Sequence, residues 1–239
     1  METSEGKTKK ILLILWPYRF RNFDYYRLEL NQMERELDLK ILVHDLTDFL
    51  HPSITKAYLN LSDSKNVTKY KSLSSWKIDF YKLLKDKRNN ILVLNEVECV
   101  NLKCFIINLI LKKSKVKTFK LSKNRIPTKK IKVKNILQKF IAAIINLQEL
   151  KIFLTNNLFL LAAYQFSFFP NYLIACGSVD FNDKYYTKKK FKKNVRILKG
   201  HSIDYSNYLT YGNKNQSDDG SYGLMLDSSG PKFLGDNVS

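Results

Sequence analysis

The stretch Ile11-Leu12-Leu13-Ile14-Leu15-Trp16 follows a run of lysines, is apolar at every position, and ends at Pro17. A strand with one face in water alternates apolar and polar residues. A run with no polar member is the pattern of a central parallel strand buried on both faces. The segment after it has Asn22 as its expected N-cap. Phe23, Tyr26, Leu30, Met33 and Leu37 then recur at spacings of three and four, which predicts a helix laying one face on the sheet.

Working outward, the same alternation repeats. Leu39 to His44 reads as a second strand, with Asp45 and Thr47 placed to cap the next helix. Val67 to Lys71 reads as a third, shorter strand. Ser74 or Ser75 then caps a helix in which Trp76, Phe80 and Leu83 share a face. Ile91 to Leu94 is a clear strand with Asn95 and Glu96 at its carboxyl end. A helix from about Cys99 to Lys112 and a strand at Val116 to Phe119 follow. Strands alternating with helices at this spacing predict an α/β protein, a Rossmann-like parallel sheet flanked by helices and joined by right-handed crossovers.

The second half is less regular. Lys120 to Lys132 contains Pro127, many lysines and no apolar period, and reads as an exposed basic insertion, 120–132. Val133 to Leu147 carries Val133, Ile136, Phe140 and Ile144 on one stripe. A core helix is expected there, with a membrane-interface helix as the alternative because its flanks are basic. Ile152 to Val179 has no charged residue, but Asn156, Asn157, Gln165, Pro170 and Asn171 interrupt it. A buried or interfacial helix ending near Phe169 is expected rather than a membrane span. A strand at Tyr172 to Cys176, closed by Gly177-Ser178, comes next. Val195 to Leu198 reads as a short buried strand leaving through Gly200 into the polar turn His201-Ser202-Ile203-Asp204, and Tyr222 to Asp227 as a last strand. The expected domains are a Rossmann-like unit over 1–170 and continuing strands with a partial second α/β portion over 171–239, incomplete at the C-terminus.

The chain has 41 Lys/Arg against 22 Asp/Glu, a formal charge of +19. Positions 103–139 hold thirteen basic residues and positions 184–199 hold eight, both without an acid. Elsewhere the two signs nearly balance, so the positive field is regional and points to a polyanionic partner surface. Aromatic interleaving occurs in only one of these segments and RNA-binding signatures are missing, which makes nucleic acid the weaker partner. An anionic membrane surface, or the phosphates of a lipid-linked substrate, fits better. Three cysteines in no even framework, and no secretory apolar region, point to the reducing cytoplasm, with association at the inner face of the plasma membrane as the extension.

No G-x-G-x-x-G and no Walker loop is present, so no standard dinucleotide or nucleoside triphosphate cradle is expected. Cys99 and Cys104 lie far from any histidine, so no zinc site is expected, and no cofactor is expected. Ligands of open α/β sheets sit past the carboxyl ends of the strands, and the candidate residues cluster there. Arg19 and Arg21 form a fork suited to a phosphate, with an ion pair to Asp24 or Glu29 as the alternative. Asp204 could orient His201, leaving its other ring nitrogen as a general base for a sugar hydroxyl. The alternative has Ser202 or Asp204 as a helix cap. Glu96, Ser178 and Ser202 are further rim residues read as substrate contacts. Arg19 and His201 are expected to meet in a common cleft. His44 and His51 have no matching acid and read as structural.

Taken together, Pro17-x-Arg19-Phe20, Asp24-Tyr25-Tyr26-Arg27-x-Glu29-Leu30, Gly177-Ser178 and His201-Ser202-x-Asp204-Tyr205 resemble a family of bacterial surface-polysaccharide (O-antigen or capsule) biosynthesis proteins of GT-B glycosyltransferase type. The resemblance implies a GT-B N-terminal-domain-like fold, a nucleotide sugar as donor substrate, a lipid-linked glycan acceptor and no bound metal. It also implies that this chain corresponds to the acceptor-side domain, with the donor domain largely absent.

Overall fold

The structure is a computed structural model and describes residues 10–55, 66–87, 90–121, 147–176 and 194–200. Seven parallel strands form one sheet in the order β3-β2-β1-β4-β5-β6-β7. They are β1 (Lys10–Trp16), β2 (Leu39–Asp45), β3 (Val67–Lys69), β4 (Ile91–Asn95), β5 (Lys117–Leu121), β6 (Tyr172–Cys176) and β7 (Arg196–Gly200). The order reverses between β1 and β4, as in a Rossmann-like sheet. β6 and β7 extend this same sheet, Phe119 pairing with Tyr172 and Ile174 with Leu198.

The unbroken apolar run does become the central strand. Leu13, Ile14 and Leu15 are completely buried, between β2 on one side and β4 on the other. Successive side chains point to opposite faces, so β1 feeds two cores. Ile11, Leu13 and Leu15 pack with Leu46 and Phe49, with Trp76 and Phe80 of α5 (Leu73–Lys87), and with Cys104 and Ile107 of α6 (Leu102–Ser114). Leu12 and Ile14 pack on the other face with Phe20, Tyr25, Leu28 and Leu30. Full burial of each such side chain contributes roughly 1.5–3 kcal/mol. This strand therefore anchors the fold more than any other.

The helix expected after β1 is two short helices, α1 (Asn22–Arg27) and α2 (Leu30–Glu36), broken by Glu29 in the left-handed region at φ 53°. The break shifts the buried face. Tyr25, Leu28 and Leu30 face the sheet, while Phe23, Tyr26 and Leu37 are more than half exposed. The cap is Arg21, not Asn22, and Asp24 accepts its backbone N–H at 2.9 Å. The cap of α5 is Ser72 rather than Ser74 or Ser75. Its Oγ accepts the Ser75 N–H at 3.1 Å, and the other two serines lie inside the helix. The cap of α3 (Thr47–Leu50) is Leu46, not Asp45 or Thr47; Asp45, just before it, accepts the Thr47 N–H and hydroxyl, and α4 (Pro52–Thr55) follows. Asn101 caps α6 by accepting from Cys104 N at 2.9 Å, so that helix starts three residues later than expected.

Helix α7 (Leu147–Gln165) crosses from β5 to β6 and packs on α6 through Phe105, whose ring meets those of Phe159, Phe166 and Phe168. Among the described residues no helix is long and apolar enough to cross a membrane. Two expectations are corrected at this end of the sheet. Lys120 and Leu121 belong to β5 and not to a basic loop. β7 is not a buried strand, because it borders only β6 among the described strands and leaves Arg196, Leu198 and Lys199 exposed. Gly200 closes the β6–β7 pairing opposite Cys176. A Cβ at Gly200 would come within 2.6 Å of Ile174 Cγ2, so any side chain there would have to displace that methyl. The expected loop after Leu121, the helix at 133–146, the segment at 181–193 and the strand at 222–227 lie outside the described residues.

Candidate functional site on the carboxyl rim of the sheet

The rim at the reversal point is built by the loop Pro17–Arg21 after β1, by α3 and His51 after β2, and by residues 96–101 after β4. Backbone hydrogen bonds hold the three together. Leu46 N donates to Trp16 O at 2.9 Å and Glu96 N to Leu15 O at 3.2 Å. Lys103, in the first turn of α6, donates to Phe49 O at 2.7 Å and bridges α6 to α3.

Arg19 folds back beneath this rim. Its guanidinium lies 3.3 Å from Asp45 Oδ2 and also bonds Asp48, and Asp45 Oδ2 accepts the Phe20 N–H at 3.1 Å. The side chain is 8% exposed, so Arg19 is engaged by two carboxylates inside the protein. Neither Asp24 nor Glu29 is its partner in these pairs. Arg21 behaves differently. It is 45% exposed, 3.5 Å from Asp24 Oδ2, and lies over the Phe23 ring. Asp24 also places a carboxylate at the start of α1, where a dinucleotide-binding fold would receive a phosphate. Pro17 and Tyr18 open this turn in place of glycines.

Glu96 turns inward, and its Oε1 accepts the Leu121 N–H at 3.2 Å, fastening β4 to β5 at the rim. His201, Ser202, Asp204 and Ser178 lie outside the described residues. β7, the last described strand, ends at Gly200, four strand positions from β1 on the same carboxyl edge of the sheet.

Sequence reasoning missed a pair that the fold brings together. Tyr18, 49% exposed, stacks on His51 with ring centroids 5.0 Å apart and planes within 9°. Burial lowers the His51 pKa, so the ring is held neutral at pH 7. The signal was the position of His51, one turn beyond the carboxyl end of β2, rather than any acid partner. The stack offers an aromatic surface beside the reversal point, suited to the face of a ring.

A cavity of about 620 Å³ lies between α6, α7 and the β4–β6 strands. Lys120, on its floor, pairs with Glu98 at 3.2 Å. Asn108 is fully engaged there, accepting from Asn95 and donating to Val97 O and Cys104 O. Burial pushes the Cys99 thiol up to about 11, so it is an inert thiol at neutral pH. Among the described residues no group of three or more His, Cys, Asp or Glu is placed to hold a metal ion. In comparisons with known proteins, no family model, no curated protein and no solved structure matches this chain.

Proposed function

We propose that this chain serves bacterial surface-polysaccharide assembly as a GT-B-like glycosyltransferase protein, building the acceptor side of a transfer from a nucleotide sugar to a lipid-linked acceptor. The observation that carries the reading is the all-parallel sheet with its reversal between β1 and β4. Such sheets receive ligands at the carboxyl rim. The Pro17–Leu30 residues that resemble the family form the rim loop and the helices beneath it. In this reading His201 is the base, Asp204 orients it, and Arg21, the exposed member of the arginine fork, meets acceptor phosphate. The test is transfer from a panel of nucleotide sugars to a polyprenyl-diphosphate-linked sugar, with release of nucleoside diphosphate as the readout. Transfer that falls at least about 100-fold in His201→Ala supports the assignment. Transfer unchanged in that variant removes His201, and no turnover with any donor removes the enzyme.

A second reading, a basic α/β module that docks on an anionic membrane without catalysis, has its own support. Leu154, Leu158 and Leu161 form an exposed stripe along α7, each more than half exposed. The last turn of α6 and the residues after it expose Lys112, Lys113, Lys115 and Lys117, and Lys112 bonds Phe166 O at the end of α7. An apolar stripe beside a basic cluster suits an anionic interface. Sedimentation with phosphatidylglycerol vesicles, lost in Leu158→Glu and absent with phosphatidylcholine, is the expected result.

A further inference from the structure

The cavity of about 620 Å³ between α6, α7 and the strands β4–β6 has the size of a small-molecule site, roughly 300–1,000 Å³. Among the described residues, Leu111, Val116, Leu160, Ala163, Phe168 and Leu173 supply its apolar wall. The asparagines in that wall already have partners. Asn95 and Asn108 hold each other, Asn95 also accepts the Val97 N–H, and Asn108 donates to the carbonyls of Val97 and Cys104. Asn171 Oδ1 accepts the Thr118 N–H at 2.8 Å. Lys120 is paired with Glu98. A polyhydroxy ligand would give up its water here for few new hydrogen bonds, whereas a hydrocarbon chain gives up none.

Charge is concentrated at one end. Lys112 and Lys115 line the cavity where α6 stops and β5 begins, and both are exposed. Lys112 Nζ donates to Phe166 O and lies 5.9 Å from the centroid of the Phe168 ring, which leaves two of its three protons for other acceptors. The Lys115 side chain makes no hydrogen bond or ion pair among the described residues. Lys113 and Lys117, next to them in sequence, are exposed as well. Two helices end here, α6 at Ser114 and α7 at Gln165. Each C-terminus carries about half a negative charge, so together they offset about one of these four lysines. Neither 103–139 nor 152–179 contains an acid to offset the rest. This end of the cavity therefore favours an anion.

We propose that the cavity binds a single-chain anionic amphiphile. Its acyl or prenyl chain lies among the apolar side chains, and its phosphate or carboxylate head meets Lys112 and Lys115. The site rests on neither functional reading above, and Leu158, in the outer stripe of α7, is not part of its lining.

The test is isothermal titration calorimetry of the full chain with hexyl, octyl and decyl phosphate, decanoate, decyl maltoside and inorganic phosphate, the amphiphiles kept below their micelle concentrations. One-to-one binding of the alkyl anions is expected, about fourfold tighter for each added methylene until the cavity is full. Decyl maltoside, which lacks the charge, should bind at least about tenfold more weakly than decyl phosphate. The double change Lys112→Gln and Lys115→Gln, both on the surface, should weaken decyl phosphate by a similar factor. Ala163→Phe should abolish binding by filling the cavity, and Leu158→Glu should leave it unchanged. Either head group supports the site, and the tighter of decanoate and decyl phosphate names it. An affinity that does not grow with chain length, or that the double lysine change leaves intact, overturns the proposal. Inorganic phosphate competing as well as decyl phosphate overturns it as an ion site only, and loss of binding in Leu158→Glu overturns it by placing the ligand on the outer stripe.

Discussion

His44 and Asp45 are neighbours on β2, and they open onto opposite faces of the sheet with opposite outcomes. Asp45 is saturated. It takes Arg19, the Phe20 N–H, and the Thr47 N–H and hydroxyl. His44 is equally buried yet keeps one nitrogen without a partner. The difference separates a carboxylate that ties the rim loop together from a ring that is held on one side only, by Tyr70. A buried polar nitrogen left unpaired costs about 1–3 kcal/mol, so the His44 side of β2 is the less well satisfied of the two.

The comparison breaks most severely at Asp45. Asp45→Ala strips Arg19 of one of its two carboxylates and orphans the Phe20 and Thr47 N–H groups. A loss of about 3–5 kcal/mol is expected in urea unfolding at pH 7. Next comes pH. The His44 pKa in the fold, about 4, is below the 6.5 of the unfolded chain, so its contribution is complete above pH 6.5 and is lost as pH falls toward 4. Wild type should lose about 3 kcal/mol more than His44→Gln between pH 7 and pH 4. Tyr70→Phe is expected to cost about 2 kcal/mol, measured by urea unfolding, since it leaves His44 Nε2 buried without its hydrogen-bond partner. The mildest change is Thr47→Val, which removes one of the bonds to Asp45 and should lower stability by about 1 kcal/mol in the same measurement.

The fold was legible where burial is two-sided. Ile11–Trp16 needed no partner to be read as a central strand, because a run without a polar residue marks a strand covered on both faces. The helix after β1 was misphased because the left-handed turn at Glu29 has no glycine or asparagine to announce it. Val195–Leu198 looked buried from its apolar residues, yet Arg196 and Lys199 of β7 lie exposed. The polar centres were the least legible. Arg19 meets Asp45 and Asp48, 26 and 29 positions away, and His44 meets Tyr70 across another 26. Such partners are set by strand register rather than by local spacing, so His44 and His51 could not be matched to their neighbours from the sequence.

The narrow clearance at Gly200 has a bearing on what could replace it. A Cβ would meet the Ile174 methyl at 2.6 Å, so an alanine there would force that side chain to turn or the ends of β6 and β7 to part.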